Sequence, residues 1–99
     1  MKNNQVVEFP NICFTEGSIS IITKLNPTLK TFVLSKINRL DTFGFDLEYI
    51  DGLKIEGDMG VIKSNVDSNC IEIIVKLLTT SQIQVLKVSS IPTSNLIGF

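Results

Sequence analysis

Two apolar runs near the carboxyl end, CIEIIVKLL (residues 70–78) and IQVLKVSS (residues 83–90), are separated by only Thr-Thr-Ser-Gln. Each run is short and rich in β-branched residues, and a four-residue loop suits two antiparallel strands. Such a hairpin predicts Ile73 opposite Val88 and Val75 opposite Leu86. Ile74, Leu78, Ile83 and Val85 then gather on the second face. A sheet wetted on one side alternates apolar with polar residues, and this hairpin does not. Both faces are therefore expected to be covered, the second by the remaining strands or by another copy of the chain. Ile74, Leu78, Ile83 and Val85 are the candidate residues of a homodimer interface, with Lys76 and Lys87 at its edges.

The rest of the chain agrees with a sheet-rich fold. It contains fourteen isoleucines and no alanine, so strand formers displace the best helix former. An apolar fraction of 43% in 99 residues supplies one hydrophobic core and excludes disorder. One helix is expected, over about 27–41. Asn26 suits its N-cap and Pro27 its first turn, while Leu29, Phe32, Val33, Ile37 and Leu40 fall on one face.

Upstream, QVVEF reads as a strand ended by Pro10, and NICFTEGSISII as a hairpin turning at Glu16-Gly17. Downstream, FDLEYI and LKIEG flank Asp51-Gly52, a strong hairpin signal. A three-residue loop there pairs Tyr49 with Leu53 and Leu47 with Ile55, and it requires positive φ at Gly52. GVIK is a further strand, SNVDSN a loop, and IPTSNLIGF a packed irregular end. The sum is a single α+β domain over residues 1–99, an antiparallel sheet with one helix, closed as a roll or an SH3-like barrel. The stretch DMGVIKSNVDSNCIEIIVKLL resembles the strand–turn–strand rhythm of SH3-like barrels.

The residues present exclude much chemistry. Without histidine, no Ser–His or Cys–His nucleophile can be assembled within the chain. The glycines at 52, 57 and 60 fit neither a P-loop nor a dinucleotide fingerprint. No catalytic residue, metal site or cofactor is expected, and the protein is not expected to be an enzyme. Cys13 and Cys70 have no metal-ligand spacing and read as two buried free thiols. A single arginine and a pI of about 5.2 argue against nucleic acid as the partner. The amino terminus has no secretory pattern and no apolar run is long enough for a membrane span, so a cytoplasmic, membrane-free protein is expected.

Charge is unevenly placed. Residues 41–58 hold six acidic groups and one basic group, although the net charge is only −1. In the hairpin register above, Asp46 directly faces Glu56, and like charges opposed across strands are unfavourable. Asp46, Glu48, Asp51, Glu56 and Asp58 are therefore the candidate binding residues for a protein with a basic surface. The expected function is a non-catalytic regulator, inhibitor or immunity-type module, of the kind that phages and other mobile elements carry. The alternatives are a small-molecule or nucleotide-binding domain, with its pocket between helix and sheet, and an RNA- or DNA-binding barrel.

Overall fold

In the computed structural model, which describes residues 9–93, the elements are β1 (Ile12–Phe14), α1 (Glu16–Lys24), α2 (Pro27–Phe43), β2 (Leu53–Glu56), β3 (Met59–Val66), β4 (Asn69–Leu77) and β5 (Ile83–Pro92). The class is α+β, as expected. The long helix α2 forms for the reasons its sequence suggests. The Asn26 side chain accepts a hydrogen bond from the Leu29 amide at 2.9 Å, and Pro27 occupies the first turn. Leu29, Val33, Ile37 and Leu40 are buried, with Phe32 packed partly against them. The helix ends at Gly44, whose φ of 71° lets the chain leave.

The first half of the chain differs from expectation. Residues 12–22 form not a hairpin but the three-residue strand β1 followed by the helix α1. Thr15 caps α1, its hydroxyl accepting from the Ser18 amide at 3.2 Å, and Glu16 lies in the first turn, where the helix dipole favours an anion. Ser18 and Ile22, one turn apart, are the residues α1 buries. β1 pairs with β5 in parallel, Ile12 beside Ile83 and Phe14 beside Val85.

The sheet order is β1-β5-β4-β3-β2, so it is mixed, and its edge strands β1 and β2 lie at opposite ends. Among the described residues β1 and β2 are not paired with each other, so the sheet does not close on itself as a barrel. β2 to β5 are a meander of antiparallel neighbours joined by tight turns. Gly57 (φ 63°) opens the two-residue turn after β2. Asp67 and Ser68 both have positive φ, 52° and 64°, the mirror-image turn that suits twisted strands. β3 therefore runs through much of SNVDSN, which reads from sequence as a loop. Ile91 and Pro92 continue β5. Residues 5–8 of QVVEF, and residues 94–99, lie outside the described residues.

The final hairpin pairs Ile73 with Val88 as predicted, but a bulge follows. Ile74 pairs with Lys87 and Val75 with Val85, which leaves Leu86 as the extra residue. The insertion resets the alternation, so Ile83, Val85 and Val88 all face the helices together with Ile71, Ile73 and Val75. Ile83 and Val85 are 1% and 0% exposed. They belong to the core, and the expected interface of Ile74, Leu78, Ile83 and Val85 does not exist as one surface. The core lies between the helices and this sheet face, where Ile22, Val33, Ile37, Ile62, Ile71 and Ile73 are all almost fully buried. A buried aliphatic side chain of this size contributes about 1.5–3 kcal/mol, so this layer is the main source of stability.

Candidate functional site: the loop between α2 and β2

The expected acidic hairpin is not formed. Residues 44–52 are a loop of successive turns, and β2 pairs with β3 instead, Glu56 opposite Met59 and Ile55 opposite Gly60. Local hydrogen bonds explain the difference. The Asp46 amide donates to the Gly44 carbonyl at 2.9 Å, and the Tyr49 amide to the Asp46 carbonyl at 3.2 Å. The Asp46 carboxylate accepts from the Glu48 amide at 2.9 Å. Asp46 thus acts as a turn former, offering the backbone an alternative to a strand ladder. Phe45 packs against the core, and Ile50 is buried. Gly60 leaves room for that arrangement, because a Cβ there would lie 3.2 Å from the Phe45 ring.

Two cations of α2 fasten the loop through its carbonyls. The Arg39 guanidinium donates to Tyr49 O at 3.1 Å, and the Lys36 ammonium to Asp51 O at 3.4 Å. Among the described residues, the carboxylates of Asp46, Glu48 and Asp51 have no ion-pair partner; the ion pair found there is Lys63–Glu72, at 3.7 Å. Phe43 at the end of α2 stacks on Tyr49, with ring centroids 4.1 Å apart and planes within 9°. Both rings are exposed, and Leu47, two residues before Tyr49, is 61% exposed. The loop and the end of α2 therefore carry an aromatic pair, one large aliphatic side chain and three carboxylates that have no ion-pair partner among the described residues, on an anchored backbone.

The five expected binding residues thus fall into two groups. Asp46, Glu48 and Asp51 are on this loop, whereas Glu56 and Asp58 are at the β2–β3 turn. Asp46 does not face Glu56. The Asp58 carbonyl accepts from the Leu77 amide at 2.7 Å, which ties that turn to the end of β4. Asp41, part of the same acidic stretch, serves the fold. Its carboxylate accepts the Asn11 amide at 2.8 Å, and its carbonyl accepts the Asn11 side chain at 3.3 Å, joining α2 to the entry of β1. The Phe43–Tyr49 pair was not anticipated from the sequence, where Tyr49 reads as the cross-strand partner of Leu53. The available signal was Gly44, a helix C-cap that puts Phe43 in the last turn.

The other sheet face carries alternate residues of each strand. One row across it is Lys54, Val61, Ile74 and Lys87, with Val61 and Ile74 half-buried by their neighbours. Leu78 is exposed just beyond β4. A hollow of about 600 Å³ lies over Lys54, Met59, Val61, Lys63 and Glu72 on the same side. The thiols are free, as expected, but Cys13 is exposed on β1 and Cys70 half-buried on β4 rather than both in the core. Among the described residues no group of three or more Cys, Asp or Glu side chains is placed to hold a metal ion. No helix among them is long and apolar enough to cross a membrane.

No protein-family model and no curated protein matches this sequence. A solved structure does resemble it: a chain in the crystal structure of the archaeal RelE–RelB complex from Pyrococcus horikoshii OT3. The TM-score is 0.54 at 15% sequence identity, over 86% of this chain and 96% of that one. At that identity the likeness is one of fold: the two chains share their overall architecture.

Proposed function

We propose that this chain is the α+β component of a two-protein complex. It acts by binding a partner with a basic surface and has no catalytic set of its own. The observation that carries the reading is the loop at 44–52. Stacked aromatic rings and an exposed leucine, held on a fixed backbone, have the composition of an interface anchor, since aromatic residues dominate binding energy. The unpaired carboxylates around them favour encounter with a basic surface and its correct orientation. The fold-level neighbour comes from a structure of a protein–protein complex, which is consistent with this class of role.

The test uses tagged wild-type protein and the loop variant Asp46→Asn, Leu47→Ser, Glu48→Gln as parallel baits in the native host. Every altered side chain is at the surface or half-buried, so the variant should melt within a few degrees of wild type. A partner recovered stoichiometrically by wild type and lost by the variant supports the proposal. Equal recovery by both baits moves the interface elsewhere.

A further inference from the structure

A second surface, at the opposite end of the sheet, is built for a different kind of contact. β1 is only three residues long and accompanies β5 from Ile83 to Val85. β5 continues to Pro92, so among the described residues its outer edge beyond Val85 has no strand beside it. The chain turns away there because Thr15 both caps α1 and binds β5. Its amide donates to Val85 O at 3.2 Å, and its hydroxyl to Leu86 O at 3.1 Å. α1 then runs along this edge without closing on it. The space between them is a hollow of about 680 Å³, lined by Gly17, Ile21, Lys24 and Leu25 and by residues 86–90 of β5.

Three features of this groove select an occupant. An unpaired strand edge offers main-chain donors and acceptors to an extended segment. Ile21, 39% exposed, and Leu86 line it with apolar surface. Its charged lining residues are Lys24 and Lys87, with no carboxylate among them. Gly17 is among the lining residues, and a Cβ added there would meet no atom within 4 Å, so a larger side chain has room to extend into the hollow. We infer that the groove between α1 and the free edge of β5 receives an extended segment of another protein, one that carries both apolar and acidic residues and adds to the sheet as a strand. On the α1 side the segment meets Ile21 and Lys24, and toward the other sheet face it meets Lys87 beside Leu86, so each side offers it apolar surface and one cation. This surface is separate from the loop at 44–52 and has the opposite charge, so either proposal can fail without the other.

Gly17→Leu is the discriminating variant. It fills the groove and replaces a poor helix former on α1, so the fold should be as stable as wild type or slightly more so. The probe is a random linear-peptide phage library panned against the folded wild-type protein. The expected result is enrichment of peptides that combine apolar with acidic residues. Their affinity should fall about tenfold or more in Gly17→Leu and in Lys24→Glu/Lys87→Glu, and should not change in Leu47→Ser. Bound peptide should also slow amide exchange in residues 86–92. The inference is overturned if enriched peptides are basic, if they bind Gly17→Leu as well as wild type, or if no peptide is enriched. It is equally overturned if edge amides of residues 86–92 are already protected in the isolated protein, which would mean that the chain covers this edge itself.

Discussion

Gly52 sits where the loop at 44–52 meets the sheet, and replacing it by alanine tests how the two are joined. Its φ is 83°, a region that costs a residue bearing a Cβ about 1–2 kcal/mol. A Cβ at this position would also clash with the carbonyl oxygen of Lys63, far inside contact distance. That oxygen belongs to β3 and cannot rotate away as a side chain would. The chain must move instead, and the hydrogen bond from the Lys63 amide to Gly52 O, now 3.2 Å, is lost or stretched, costing about 1 kcal/mol more. Gly52→Ala should therefore destabilise the protein by about 2–4 kcal/mol. Gly57→Ala is the internal control, because Gly57 has a similar φ of 63° but no atom within 4 Å of its missing Cβ. It should lose only about 1–2 kcal/mol. Urea denaturation of both variants measures the difference, with the Gly52 midpoint falling roughly 1 M further for a slope typical of a small domain. Equal midpoints for the two variants would refute the close approach of Gly52 to β3.

The core assignment of Ile83 predicts that Ile83→Asp buries an unpaired carboxylate and unfolds the chain, a loss of about 4 kcal/mol or more by circular dichroism, whereas Leu78→Asp stays within about 0.5 kcal/mol. Asp41→Ala should cost about 1–3 kcal/mol by freeing the Asn11 amide, with hydrogen exchange accelerating first in Ile12–Phe14. The Lys63–Glu72 pair is weak because the lysine side chain is 65% exposed. A double-mutant cycle should return a coupling below about 1 kcal/mol, and less as salt is added.

What could be read from the sequence was whatever has a local cause. α2 carries its cap, its proline and its apolar stripe within its own residues, and the β4–β5 hairpin has a short loop between two unmistakable strands. Positive φ at Gly52 was also legible, although the loop containing it was not. The failures share a different origin. α1 and a strand are close alternatives for FTEGSISII, and the choice is made by Thr15 binding to β5, some seventy residues away. The parallel position of β1 is likewise a tertiary fact. The bulge at Leu86 leaves no mark in the apolar pattern, yet it transfers Ile83 and Val85 from an imagined outer face to the core. Within the candidate site, the acidic residues were visible in the charge distribution. Their division between loop and turn, and the exposed Phe43–Tyr49 stack, depend on how Gly44 and Asp46 redirect the chain.

The central claim is that the surface of the loop at 44–52 docks on a basic protein. The most direct measurement is the association rate with the recovered partner as ionic strength rises, for wild type and for Asp46→Asn/Glu48→Gln/Asp51→Asn. Wild-type association should slow by about tenfold or more between low and high salt, and the neutralised variant should be slow at low salt and nearly insensitive to salt. Identical rates and identical salt dependence for the two proteins would contradict the claim.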